Sequence, residues 1–232
     1  MVLAGGRGTR LRPYTAVLPK PLVPVGERPI LELLIRQLAR HGFTRIDLSV
    51  GHLGGLIKAY LDHVDLPEGV ELEYWWEDEP LGTAGALRQI EGLDEGPFLV
   101  TNGDVLTTLD FAQLMRFHRG QGATLTVATH RQSVDIALGV IESKDGLITG
   151  YTEKPSIRFD VSMGIYAYDP KALESIPPGR FDFPDVVQAL IEAGRDVAAY
   201  TGPGLWFDIG TAGEHERAVA ELEKHPEFFE DA

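Results

Sequence analysis

The chain of 232 residues carries 35 acidic against 21 basic side chains, a formal net charge of −14, and has no cysteine. Such a chain lacks the clustered cations that hold nucleic acid, and the missing thiols exclude disulfides, thiolate zinc sites and cysteine nucleophiles. The charge is unevenly spread: residues 1–28 hold Arg7, Arg10, Arg12, Lys20 and Arg28 against Glu27 alone, a balance of +4, while the remainder carries −18. A short basic segment rich in Gly and Pro points to a local site for a small anion.

In chain order, Val2 to Ala4 reads as a short first strand. Ile30, Leu33, Leu34 and Leu38 then recur at helical spacing up to a stop at His41-Gly42. A strand follows over Ile46 to Val50, a helix over Leu53 to Leu61, a strand over Val70 to Trp76, a helix over Ala84 to Ile90, and a buried strand over residues 97–101. This alternation predicts a doubly wound, mostly parallel α/β sheet, in which ligands sit off the carboxyl ends of the strands. From about residue 123 the pattern changes to β segments at Thr124 to Thr129, Gly139 to Glu142, Ile148 to Thr152 and Val161 to Tyr168, with Asp145-Gly146 as a turn. An antiparallel or mixed extension of the same sheet is expected. Helices are expected at Pro184 to Ala193 and Ala212 to Lys224, the latter opened by Thr211 and Glu214 at capping-box spacing, with a strand over Val197 to Thr201 between them. No apolar run reaches the ~18 residues of a membrane span, and the amino-terminus begins with an Arg-rich loop instead of a signal peptide. A soluble chain in a reducing cytoplasm is the expectation.

Two segments carry the chemistry. Ala4-Gly5-Gly6-Arg7-Gly8-Thr9-Arg10-Leu11 sets three glycines and two arginines directly after a strand, where bare backbone amides and guanidinium forks can cradle phosphate. It matches neither the dinucleotide fingerprint, because Leu11 stands where the last glycine belongs, nor a Walker-type loop, which needs Gly-Lys-Ser/Thr. In Pro19-Lys20-Pro21-Leu22 the two prolines restrict where the lysine can point.

The pairing of these segments resembles the signature of the sugar-1-phosphate nucleotidylyltransferases. Further matches run along the chain at residues 79–85 (EPLGTAG), 102–104 (NGD), 153–155 (EKP), 161–166 and 206–211 (WFDIGT). The resemblance implies the nucleotide-diphospho-sugar transferase fold over residues 1–232. Within it, a Rossmann-like nucleotide-binding lobe covers about residues 1–110 and a sugar-binding lobe about residues 111–232. It also implies transfer of a nucleotidyl group from a nucleoside triphosphate to a sugar 1-phosphate with release of pyrophosphate. Small-molecule substrates follow, with no nucleic acid or membrane partner and a homo-oligomer as an option.

By the same resemblance, Leu3, Ala4 and the loop Gly5, Gly6, Arg7, Gly8, Thr9 and Arg10 enclose the triphosphate, and Arg10 stabilises the leaving pyrophosphate. Lys20 bridges the α-phosphate and the sugar phosphate, and Asp104 and Asp208 hold Mg²⁺, a hard cation suited to carboxylate and phosphate oxygens. Asn102 and Gly103 complete the nucleotide side, with Gly82 and Thr83. Glu77 and Gly82 fall at the base-reading positions, where a carboxylate can accept two hydrogen bonds from guanine and an amide would suit uracil or thymine better. GTP is therefore expected, with UTP or dTTP, or a non-catalytic nucleotide-sugar-binding subunit, as the alternatives. Lys154 corresponds to the lysine that holds the sugar phosphate, Glu153 to an acceptor for sugar hydroxyls, and Gly139, Ser162 and Gly164 to the sugar pocket. Two departures stand out: Ser162-Met163 replaces the usual Asn and small residue before the glycine, and only Met1-Val2-Leu3 precede Ala4 where members have a longer first strand.

Overall fold

The computed structural model of the protein describes residues 1–225. Seven strands form the main sheet: β1 (Val2–Ala4), β2 (Arg45–Val50), β3 (Glu71–Trp76), β4 (Phe98–Asn102), β5 (Leu125–Asp135), β6 (Ser156–Tyr168) and β7 (Val197–Thr201). Their spatial order is β7-β5-β6-β4-β1-β2-β3. Pairings β1 with β2, β2 with β3, β1 with β4 and β5 with β7 are parallel, and β6 runs antiparallel to both its neighbours. The expected doubly wound sheet with a mixed extension is thus observed, its parallel half filled by β2, whose residues Ile46 to Val50 are all buried.

The helices follow from the apolar periodicity. In α1 (Ile30–Arg40), Ile30, Leu31, Leu34, Ile35 and Leu38 face the core, and the chain leaves through Gly42 at φ +85°, a conformation glycine adopts without strain. α2 covers Gly54–Leu61, and α5 (Phe183–Glu192) is opened by a reciprocal Asp182/Asp185 capping box. α6 (Ala212–Leu222) is capped by Thr211, whose hydroxyl accepts from the Glu214 amide. No helix among the described residues is long and apolar enough to cross a membrane.

Some expectations needed correction. The helix expected over Ala84 to Ile90 is a single α turn, α3 (Gly82–Gly85), running into a 3₁₀ turn over Ala86–Gln89. Two glycines lower its helical propensity, and the Ala84 and Gly85 amides both donate to the Phe181 carbonyl instead of continuing a ladder. One helix was missed, α4 (Phe111–Gln121), although its signals were present: an Asp110 cap, Phe111, Leu114, Met115 and His118 on one buried face, and Gly122 at φ +63° beyond its end. β5 and β6 also run further than their apolar cores. Residues 131–135 and 156–160 pair beyond the sheet as a two-stranded arm with exposed faces, so no burial pattern marks them in the sequence. Strands Val140–Lys144 and Leu147–Thr152 form a hairpin in this region, turning at Asp145 and Gly146 with φ +52° and +81°.

One small element decides where the site lies. Val105–Thr107 pairs antiparallel with Trp206–Asp208, Asp208 opposite Val105, and the Ile209 amide donates to the Asp104 carbonyl at 3.2 Å. Residues 206–209 are thereby sewn onto the loop after β4.

Candidate active site

A cleft of about 780 Å³ opens off the carboxyl ends of β1 to β4. Its walls include Leu3, Ala4, Gly5 and Gly6 from β1 and the loop after it, Lys20, Glu77, Gly82 and Thr83, and Asn102 and Asp104 after β4. Gly8, at φ +56°, turns the glycine loop: its carbonyl accepts from the Thr15 hydroxyl at 2.7 Å and the Leu11 amide at 3.0 Å. A Cβ on Gly8 would lie 2.9 Å from the Lys20 Cβ, so loop and lysine are packed together. Gly103 donates its amide to the Leu3 carbonyl at 2.9 Å, and a Cβ there would meet that same oxygen at 2.9 Å; only glycine lets the two strand ends approach so closely. Arg7, Thr9 and Arg10 are exposed on the loop. The Arg10 guanidinium lies beside Gly210, and its charge acts on Asp208.

Lys20 is buried to 9% exposure, and its ammonium donates to Asp104 while lying 3.9 Å from Asp208. Burial, followed by the negative charge of Asp104, pushes the Asp208 carboxyl above its ordinary range, with Lys20 and Arg10 opposing the shift. Asp104 Oδ1 is buried without a hydrogen-bond partner. Two carboxylates crowded around one ammonium, one oxygen left unpaired, form a donor set that fits a hard divalent cation. Among the described residues no group of three or more His, Cys, Asp or Glu side chains gathers as a metal site. A cation at this pair would therefore take its remaining ligands from phosphate and water, the usual habit of Mg²⁺.

Glu77 leaves the end of β3 and folds back over the sheet edge. One carboxylate oxygen accepts from the Ser49 hydroxyl and the other from the Leu81 amide at 3.0 Å. A Cβ on Gly5 would sit 2.8 Å from the Glu77 carboxylate, so the glycine loop rests against it. Gly82, at φ +79°, and Thr83 join this edge to the far half of the chain. The Thr83 amide donates to Asp182 at 3.0 Å and the Phe183 amide to the Thr83 hydroxyl at 2.7 Å.

A second, more open cleft of about 1350 Å³ shares Thr83 and Asn102 with the first and is lined by Ser162, Gly164 and Asp208. Gly164, at φ +73°, lies in a bulge between Ser162 and Tyr166, and a Cβ there would strike the Asn102 side chain. Sequence reasoning passed over Tyr166 and Phe183, whose stacked rings at 3.6 Å line this cleft, and over Asp160. Trp206 lines it too and donates its indole N–H to the Met163 carbonyl at 2.9 Å. Tyr166 and Phe183 gave no signal because aromatic residues in strands and helices ordinarily belong to the core. The aromatic triplet Tyr74-Trp75-Trp76 takes mainly a packing role: Trp75 donates to Asp47 at 2.8 Å, and Trp76 packs on Gly54 while half exposed.

Gly139, Glu153 and Lys154 line neither cleft. They lie at the ends of the hairpin strands. The Gly139 backbone packs against the Tyr151 hydroxyl, Glu153 accepts from Tyr151 at 2.7 Å, and Lys154 stands 3.9 Å from Glu153 in solvent.

The chain as a whole resembles known proteins. The model of a protein family described as nucleotidyl transferase matches residues 1–225. The chain belongs to that family. It is 32% identical over 240 residues to a UTP–glucose-1-phosphate uridylyltransferase of Synechocystis, covering 94% of this chain and 62% of the relative. It is also 32% identical over 245 residues to a mannose-1-phosphate guanyltransferase of Schizosaccharomyces pombe, covering 100% of this chain and 68% of the relative. The chain therefore spans only about two thirds of the length of these curated relatives. Among solved structures, HddC from Yersinia pseudotuberculosis complexed with GMP-PN is similar with a TM-score of 0.71 at 26% identity, covering 95% of this chain and 97% of that one. The sugar-1-phosphate nucleotidylyltransferase family and its fold, expected from the motifs, are both borne out.

Proposed function

We propose that this chain transfers a nucleotidyl group from a nucleoside triphosphate, GTP by preference, to a sugar 1-phosphate, forming a nucleotide sugar and pyrophosphate. The observation that carries the reading is the meeting of Lys20, Asp104 and Asp208 where the two clefts join. A phosphate oxygen of the sugar 1-phosphate attacks the α-phosphorus in line. The new P–O bond forms as the bond to the bridging oxygen breaks, and pyrophosphate leaves with the electron pair. No covalent intermediate on the protein is required, so the work of the chain is positioning and charge neutralisation.

In this reading the glycine loop, with Leu3, Ala4 and the amides of Gly5 to Thr9, holds the triphosphate, and Arg10 takes the charge of the leaving pyrophosphate. Lys20 draws the attacking and attacked phosphates together. Asp104 and Asp208 would hold Mg²⁺, which when bound offsets the charge of the reacting phosphates. Ser162 and Gly164 border the sugar, and Gly139, Glu153 and Lys154, which lie at the ends of the hairpin outside both clefts, are assigned to the sugar side by the family motifs alone. We read residues 1–232 as one nucleotidyltransferase domain of two lobes, acting on small molecules in the cytoplasm, with a homo-oligomer as an option.

Guanine is favoured by the acceptor-only carboxylate of Glu77 in the cleft wall, together with the guanyltransferase relative and the GMP-PN complex of HddC. The test is pyrophosphate release from GTP, ATP, CTP, UTP and dTTP, each with Mg²⁺ and a panel of sugar 1-phosphates. Turnover with UTP or dTTP and none with GTP overturns the base assignment. Nucleotide-sugar binding without turnover on any pair would move the chain to a regulatory role.

A further inference from the structure

Ser49 and Asp47 are the two buried polar residues of strand β2; Asp47 is taken up by Arg45 and Trp75, whereas the Ser49 hydroxyl reaches toward the cleft. Ser49 is 0% exposed, in register with Leu3 on β1 and Trp75 on β3, and its side chain is directed at Glu77. A carboxylate offers four lone-pair sites, two on each oxygen. Ser49 occupies one on Oε1 and the Leu81 amide one on Oε2, at 3.0 Å. One acceptor site therefore remains on each oxygen of a carboxylate that lines the cleft. The terminal torsion of a glutamate is broad and two-fold, so nothing intrinsic to the side chain holds this plane. Its plane is set by the two donors and by Gly5, packed against Oε1.

We infer that Ser49 is a positioning residue for nucleobase selection: through its hydroxyl it holds Glu77 so that two adjacent acceptors face the base, a surface that suits the paired N–H donors of guanine and repels the carbonyls of uracil. This rests on the guanine reading given above and adds to it the residue that makes the carboxylate selective. Without the hydroxyl, Oε1 loses its anchor and the carboxylate turns out of the plane that both donors of guanine need. Hydrogen bonds to charged groups carry enough free energy that about a tenfold loss in GTP affinity is the scale to expect.

The measurement is calorimetric titration of the full chain with Mg²⁺-GTP and Mg²⁺-UTP, for wild type, Ser49→Ala, Ser49→Thr, Glu77→Gln and the Ser49→Ala/Glu77→Gln double variant. The GTP-to-UTP affinity ratio is insensitive to the fraction of protein folded, so a merely structural role for Ser49 leaves it unmoved. Ser49→Ala is expected to weaken GTP about tenfold and UTP hardly at all. Ser49→Thr, which keeps the hydroxyl, is expected to retain the wild-type ratio. In the Glu77→Gln background, Ser49→Ala is expected to have no further effect on the ratio, because Ser49 acts through that carboxylate. An unchanged ratio in Ser49→Ala, or the same penalty with and without Glu77, overturns the inference while the guanine reading stands. Wild type binding UTP as tightly as GTP overturns the guanine reading itself, and this inference with it.

Discussion

At the carboxyl edge of the parallel strands, Lys20, Asp104 and Glu77 are each tied to a protein partner, whereas on the arm Glu153 and Lys154 stand in solvent with 3.9 Å between them. Lys20 and Asp104, like Glu153 and Lys154, belong to motifs of the same family, yet the two sets are built differently. At the edge, a buried lysine and two half-buried carboxylates are held in place before any substrate arrives, which is how a site stabilises developing charge without reorganising. On the arm, exposed side chains and a hairpin with little buried surface leave local motion inexpensive, so residues there can adjust to a ligand. In the proposed function, reaction chemistry falls to the rigid edge and sugar-phosphate capture to the adaptable arm.

The comparison breaks most sharply at the metal pair. Asp104→Asn and Asp208→Asn are each expected to lower the rate of pyrophosphate release by about 10³-fold or more, as chelation with EDTA would in the wild type. Circular dichroism is expected to show both variants folded. Activity near wild type in both would remove the metal assignment.

Lys20→Met comes next. Turnover is expected to fall by about 10²-fold or more from the lost charge in the site. Because the lysine is a buried partner of Asp104, the variant is also expected to melt lower, since removing one side of a buried pair leaves the other uncompensated. A normal melting temperature would mean that the ion pair is not part of the resting fold.

Gly103→Ala tests the rigidity of the edge without touching charge. Its methyl group would press on the Leu3 carbonyl, and a cost of about 1–3 kcal/mol in urea unfolding is expected, as for other overpacked sites. A cost near zero would show that β1 and β4 can separate freely.

The smallest structural effect belongs to the arm. Lys154→Ala is expected to leave urea stability within about 0.5 kcal/mol, because exposed ion pairs contribute little, while raising KM for the sugar 1-phosphate and largely sparing kcat. A large loss of stability would refute the contrast between edge and arm, and an unchanged KM would release Lys154 from its role.

Much of this was legible before folding was considered. The alternation of buried strands and amphipathic helices is a short-range signal, and it located β1, β2, β3, α1 and α2 to within a residue or two. The glycine loop was legible because three glycines beside two arginines suit few purposes other than a bent, anion-facing backbone. α4 was equally readable from its cap and apolar face and was passed over. The arm was illegible beyond residues 129 and 161, because strands exposed on both faces need no hydrophobic period. Ser49 could have been noticed as a hydroxyl inside a buried strand, but its partner could not, since Glu77 lies 28 positions away on a neighbouring strand.

The sequence by itself determined the parallel half of the fold, the bent glycine loop after β1 and the residue types available for the chemistry, because all three depend on local pattern and composition. The resemblance had named Asp104 and Asp208 as a pair, but only the tertiary structure shows how they come together. Asp104 and Asp208 meet because a three-residue strand near the end of the described chain pairs with the one after β4, in a register that puts Asp208 opposite Val105. Likewise, Ser49 and Glu77 meet because β2 and β3 lie side by side. Strand pairing at long range is a property of the whole sheet, and no short stretch of the chain encodes it.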